Sequence, residues 1–207
     1  GDLRRAVLPP PDLNEPVGRT TSLRLQSLRE DDSLCRAVLD QAQLRYTALP
    51  PLRLGQCGYT LAVRYQPGIA LRPNAPGMSC AMAAGVHLWL RDVVAPAAQA
   101  HYGSPLSGID HFGTYSCRRI YGGETGNLSE HANANAFDIS GFRLQSGRQI
   151  SIARNWNGSA QDQAFLREVR DGACRIFGTT LSPDYNAAHA DHFHLDMAAR
   201  GFGGYCR

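Results

Sequence analysis

The chain contains no lysine: all 21 of its basic residues are arginine, and we read that absence as a trace of genome composition rather than of chemistry. The net charge of +3 and the pI near 8.6 suit an anionic partner. No basic run and no interleaving of aromatic with basic residues is present, which argues against nucleic acid. No stretch approaches the roughly 20 uninterrupted apolar residues of a membrane span. No signal peptide stands at the start either, so an exported form would have lost its signal or anchor, and Gly1 would be the scar of that trimming. Internal repeats and low-complexity blocks are absent, and so is any Cys-x-x-Cys, which removes the common zinc-finger and thioredoxin spacings.

Six cysteines are present, at 35, 57, 80, 117, 174 and 206. An even number spread this widely reads either as up to three disulfides in an oxidising compartment or as buried free thiols, and spacing does not choose among the pairings. At 207 residues and 43% hydrophobic, the chain can bury one substantial core. Residues 1–30, with Pro9-Pro10-Pro11 and Pro16, read as a proline-rich extended tail or linker, and residues 31–207 as the domain.

Within that domain, Asp31-Asp32-Ser33 caps a helix to about Leu44, and Tyr59 to Tyr65 alternate as a half-buried strand. A long Ala- and Leu-rich helix runs from Ser79 to about Tyr102, with Pro96 as a kink or break and Gly103 as its stop; His87 within it reads as a core residue and His101 as a C-terminal one. A strand is expected over 113–120, a hairpin over 137–153, and a helix opened by Ser159 and Asp162 in a capping-box pattern. Helices around a hairpin-rich middle indicate an α+β fold with an antiparallel sheet.

Four of the seven histidines fall in two short windows, Ser129 to Asp138 and His189 to His194. Two imidazoles and one carboxylate form the ligand set of a catalytic Zn²⁺, which keeps a further position open for water. In an extended strand His192, His194 and Asp196 share one face, while Phe193, Leu195 and Met197 share the other. Asp138 likewise lies opposite Phe137 and Ile139. Were 131–138 helical, His131 and Asp138 would stand about 10 Å apart along the axis, too far for one ion. That window is therefore expected to be a loop returning into a strand.

The run Ser129-x-His131-x6-Asp138 followed by His192-x-His194 resembles the LAS metallopeptidases, which include D-Ala-D-Ala carboxypeptidases, murein endopeptidase A and the hedgehog signalling domain. His189-x-x-His192-x-His194 is similar to the endopeptidase pattern. Tyr115 to Arg119, Ser129 to Ala132, Asp138 to Phe142 and His192 to Asp196 resemble the bacterial extensin-like C-terminal family over about residues 33–207. The resemblance implies a small antiparallel sheet flanked by helices, and one Zn²⁺ held by His131, Asp138 and His194, with His192 beside the bound water. His189 and Asp191 are the further candidates for the catalytic machinery. Asp191 stands where related carboxypeptidases carry glutamate, and we assign it an orienting role because it shares strand parity with the core face.

Arg118 matches an arginine near substrate in these peptidases, its planar fork suiting a carboxylate, and Ser129 is expected to bond the same substrate. Alanine at 134 departs from the usual glycine and would strain the loop if φ there is positive. Asp110-His111-Phe112 reads as loop chemistry, Glu124 and Glu130 as solvated residues either of which could be a displaced base, and Tyr185 as a packing residue. The function implied is a zinc-dependent hydrolase of peptidoglycan peptide stems or cross-links in the periplasm or secreted space, endopeptidase favoured over carboxypeptidase. Two alternatives stay open: a non-catalytic zinc domain binding wall fragments or a protein, and a disulfide-stapled module without metal. Oligomeric state has no signature in the sequence.

Overall fold

The structure is a computed structural model that describes residues 8–207; the first seven residues of the expected tail lie outside it. In chain order the helices are α1 (Thr21–Gln26), α2 (Asp32–Gln41), α3 (Cys80–Trp89), α4 (Ala95–Tyr102), α5 (Ile152–Asn155) and α6 (Ala160–Cys174). The strands are β1 (Tyr46–Leu49), β2 (Leu52–Leu54), β3 (Cys57–Tyr59), β4 (Ala62–Tyr65), β5 (Ala70–Arg72), β6 (Gly77–Ser79), β7 (Leu106–Gly113), β8 (Ala136–Leu144), β9 (Gln149–Ser151), β10 (Thr179–Leu181), β11 (Phe193–Asp196) and β12 (Tyr205–Cys206). The fold is α+β. Its main sheet runs β12-β10-β11-β8-β7-β5, with β9 paired to β8. The central pairings are antiparallel, and the outermost two, β10 with β12 and β5 with β7, are parallel.

One face of this sheet is core. Trp89 of α3 meets Phe142 and Phe177 edge-on at 6.0 and 6.3 Å, and its indole N–H donates to the Val169 carbonyl of α6 at 2.9 Å. Gly85 lets α3 come this close, because a Cβ there would stand 2.8 Å from Met197 and from Phe177. In β8 the parity changes midway. His111 pairs with Ile139 and Asp110 with Gly141, so Ser140 is an extra residue, a bulge that puts Phe142 and Leu144 on the same core face as Phe137 and Ile139. Gly141 is needed there, since a Cβ would lie 2.9 Å from the Ile150 carbonyl of β9.

The expected caps form. Asp31 accepts from Leu34 N at 3.0 Å and Ser159 accepts from Asp162 N at 3.2 Å. Asp162 does not reach back to complete a box: its buried carboxylate binds the Tyr102 hydroxyl, Arg148 and Asn155 instead. Pro96 does not break the long helix, because a π-helical segment, Leu90–Val94, absorbs the mismatch before α4 begins. Gly103 ends it in the left-handed conformation, φ 61. His87 is half-buried against the Tyr65 hydroxyl at 2.9 Å, and His101 meets Glu168 at 2.7 Å. All six cysteines are paired, as Cys35–Cys80, Cys57–Cys117 and Cys174–Cys206.

Three expectations are corrected. Residues 8–30 do not form a detached tail: Leu13, Leu25 and Leu28 are at most 1% exposed, and burying each contributes roughly 2 kcal/mol, while the prolines, already restricted, lose little further freedom on docking. Arg91 grips the Leu13 and Glu15 carbonyls, and Gln26 exchanges hydrogen bonds with Gly201. The strand expected over 113–120 lies earlier, as β7, and 114–119 is irregular apart from a bridge of Arg119 to Leu128. The strand over 59–65 is interrupted at Thr60-Leu61, where β3 turns into β4. No helix among the described residues is long and apolar enough to cross a membrane.

Candidate metal centre

The site begins as a cross-strand pair. His194 of β11 stands directly opposite Asp138 of β8, while the neighbouring pairs Phe193–Ile139 and Leu195–Phe137 point into the core. Strand parity thus delivers one imidazole and one carboxylate to the same side of the sheet. His131 comes from a loop. Ser129 caps the 3-10 turn Glu130–Asn133 by accepting from His131 N at 3.2 Å, and Ala134, in the left-handed region at φ 52, turns the chain into β8. Asn135, buried behind this turn, holds it in place: its side chain bonds Ser79 and Glu130, and its carbonyl accepts from Met197 N.

Asp138 receives the two imidazoles on different oxygens. His131 Nε2 lies 3.0 Å from Oδ2 and His194 Nδ1 3.2 Å from Oδ1. One donor atom from each of His131, Asp138 and His194 falls within 4.8 Å of the others, a grouping that could hold a metal ion. The far side of each ring decides which nitrogen is free. His131 Nδ1 is 3.0 Å from the Thr114 carbonyl, which can only accept, so Nδ1 carries the proton and Nε2 the lone pair. That Nε2 is fully buried and has no hydrogen-bond partner. A buried, orphaned lone pair beside a carboxylate is costly unless a cation binds both.

His194 is tied in the same manner. Its Nε2 lies 2.7 Å from Asp196 Oδ2, whose other oxygen accepts from Ala198 N, leaving Nδ1 to face Asp138. Outer carboxylate and carbonyl partners of this kind orient histidine ligands. Electrostatics agree. Burial opposes charge on Asp138, yet the adjoining imidazoles of His131 and His194 hold its carboxyl far below the usual carboxylate range. Burial likewise lowers His194, but Asp138 and Asp196 outweigh it and raise the imidazole to about 9. Without an ion, the centre gathers positive charge where an ion would sit.

His192 and His189 stand at the open side. His192 Nε2 is 3.9 Å from Asp138 Oδ1, and its Nδ1 is 2.8 Å from Asp191 Oδ1, so Asp191 orients His192. Asp191 is exposed and lies in the turn before β11, so strand parity does not govern it. The His189 ring lies 5.0 Å from that of His192, and burial together with the neighbouring histidines lowers it to about 4, leaving it neutral near pH 7. Arg118 and Ser129 are neighbours through the bond from Ser129 N to the Arg118 carbonyl, 3.0 Å. Arg118 is exposed, whereas the Ser129 hydroxyl is already engaged as the cap.

His131, Asp138, His189, His192, His194, Arg118 and Ser129 line one cleft of about 630 Å³, together with Tyr121, Tyr185 and Tyr205. Tyr185 packs on its turn as expected, its ring edge-on to His189 at 5.3 Å and to Tyr205 at 6.2 Å, and it also lines the cleft. Asp110-His111-Phe112 belongs to β7 rather than to a loop. His111 is buried there against Phe137, and a second bulge turns Phe112 outward beside His192. Glu130 is tied to Asn135 and Arg29, and Glu124 lies outside the cleft. Asp196 could have been found from parity, since it shares the face of His194; the Thr114 carbonyl carries no side-chain signal at all.

Searches of curated proteins and of solved structures return no match. A family model described as extensin-like protein C-terminus matches residues 33–207, so the match omits the buried Leu13, Leu25 and Leu28. By that match, which spans nearly the whole core and every residue of the metal centre, the chain belongs to the extensin-like C-terminal family.

Proposed function

We propose that the protein is a zinc-dependent peptidase that cleaves peptide stems or cross-links of peptidoglycan, acting as an endopeptidase rather than a carboxypeptidase. The observation that carries this reading is the orphaned His131 Nε2, which converges with Asp138 and His194 Nδ1 while both imidazoles are fixed from behind. Two nitrogens and one oxygen suit Zn²⁺ with an open position. The order of these residues along the chain resembles the LAS metallopeptidases. A bound Zn²⁺ supplies Lewis acidity and lowers the pKa of a water toward 7.

The chain's own residues supply the rest. His192, held by Asp191, presents Nε2 to the open side to accept and return a proton. Neutral His189 lies beside it. Arg118 offers a fork for a stem carboxylate, and Tyr185 and Tyr205 line the same cleft. Three disulfides suit an oxidising compartment such as the bacterial envelope, where this substrate occurs.

The test is digestion of purified muropeptides, with products read by mass spectrometry and zinc content measured on the same samples. Wild type should cleave, and His192→Ala should keep its zinc while losing at least about 100-fold in kcat. A wild-type protein that holds one zinc and leaves every fragment intact would sink the peptidase reading.

A further inference from the structure

Asn186 opens the 3-10 turn Ala187–His189, the place where an asparagine side chain ordinarily accepts from the N–H groups of the turn it begins. It makes no such bond. Its Oδ1 lies instead 2.6 Å from His189 Nδ1, and its Nδ2 donates to the Tyr121 hydroxyl at 2.9 Å. A cap worth about 1 kcal/mol is given up for a bond to one imidazole.

The partner on the other side is unusual too. Tyr121 has φ 60 and ψ 15, a left-handed conformation that is uncommon for a bulky residue and costs about 1 kcal/mol or more. Such geometry persists where surrounding contacts hold it. Tyr121 is 66% exposed, and its hydroxyl bonds Asn186. It belongs to the segment between Arg119 and Leu128, next to Arg118 and Ser129, so the Asn186–Tyr121 bond joins that segment to the turn that carries His189.

We infer that Asn186, braced by Tyr121, is a positioning residue that fixes His189 with its proton on Nδ1 and its Nε2 lone pair available to the cleft. This rests on the peptidase reading. An amide oxygen can only accept, so His189 Nδ1 must donate, and a neutral imidazole has one N–H to give. Tyr185, edge-on at 5.3 Å, and His192, at 5.0 Å, then bound the ring on its other sides. The same bond makes the orientation of His189 depend on the placement of the segment that carries Arg118.

The experiment uses the full chain, zinc-loaded and ¹⁵N-labelled at histidine, with tautomers read by NMR and kinetics measured on a cross-linked muropeptide. In wild type His189 should be the Nδ1–H tautomer. Asn186→Leu should release it into a mixture and lower kcat about 30-fold, with KM within about twofold and zinc stoichiometry unchanged. Asn186→Asp keeps an acceptor of the same reach and should restore both the tautomer and most of kcat, whereas Tyr121→Phe should cost only about threefold. The inference is overturned by an unchanged His189 in Asn186→Leu, by a changed tautomer with no fall in kcat, or by an Asn186→Asp no better than Asn186→Leu. A wild type that cleaves no muropeptide is the failure of the peptidase reading, seen before any variant is made. The tautomer measurement then still decides whether Asn186 holds His189.

Discussion

His131 and His194 reach the same carboxylate from two parts of the molecule built on different principles. His194 stands on a strand, opposite Asp138, with a buried aspartate behind it. His131 stands on a single 3-10 turn, with only a backbone carbonyl behind it. The strand-borne half is fixed by period-two alternation and ladder hydrogen bonds, which are cheap to specify and rigid. The loop-borne half needs dedicated devices: the Ser129 cap, the left-handed Ala134, and the Asn135 bonds that tie the turn to Ser79 and Met197. A divided site of this kind combines one rigid wall with one wall that local substitutions can adjust.

The largest effect expected from the contrast falls on the strand side, where the outer partner is a side chain and can be replaced. Asp196→Asn keeps the shape of the acceptor and removes its charge, and should weaken zinc binding about 10- to 100-fold in a competition titration. No equivalent change exists for His131, because the Thr114 carbonyl is backbone. If Asp196→Asn binds zinc as tightly as wild type, the strand half does not depend on its carboxylate and the contrast is broken.

That contrast also marks how far the sequence could be read. Alternation in 136–139 and 193–196 placed Asp138, His194 and the apolar face correctly, since it depends only on residues adjacent in the chain. The Asp31 and Ser159 caps and the even cysteine count were legible for the same reason, though not the disulfide pairing. The bulges at Ser140 and Phe112 were not, because a register shift is set by the partner strand. Nor were the Asn186–Tyr121 bond, which joins residues 65 apart, and the docked arm, whose prolines signal an extended chain without saying what its leucines meet.

A region that carries no metal chemistry sharpens the comparison. Burial works against charge on Asp162, but hydrogen bonds from Tyr102, Ser159 and Arg148 outweigh it and lower its pKa below the ordinary 3.8. A depressed carboxylate adds stability above its unfolded pKa and loses it as pH falls through the folded one. Asp162→Asn should therefore cost about 2 kcal/mol in denaturant unfolding near pH 7, and the gap to wild type should narrow as pH falls below the ordinary carboxylate range, with zinc affinity near pH 7 unaltered. A fall in zinc affinity would show that the helical layer and the metal face are one unit.

The smallest effect lies on the loop side, at Ala134. An alanine at φ 52 is strained by about 1 kcal/mol or more relative to glycine, while glycine adds roughly 0.5–1 kcal/mol of unfolded-chain entropy and here would also lose a fully buried methyl. These terms nearly balance. Ala134→Gly should therefore change stability by no more than about 0.5 kcal/mol, on the stabilising side because the strain is relieved in a turn already held from both ends. Ala134→Val is the informative partner: a β-branched residue at positive φ with no room around it should destabilise by more than about 2 kcal/mol and weaken zinc binding with it. Equal zinc affinity in the valine variant would mean that His131 is placed by Ser129 and Asn135 alone, and that the left-handed turn, for all its strain, is only the route by which the chain reaches β8.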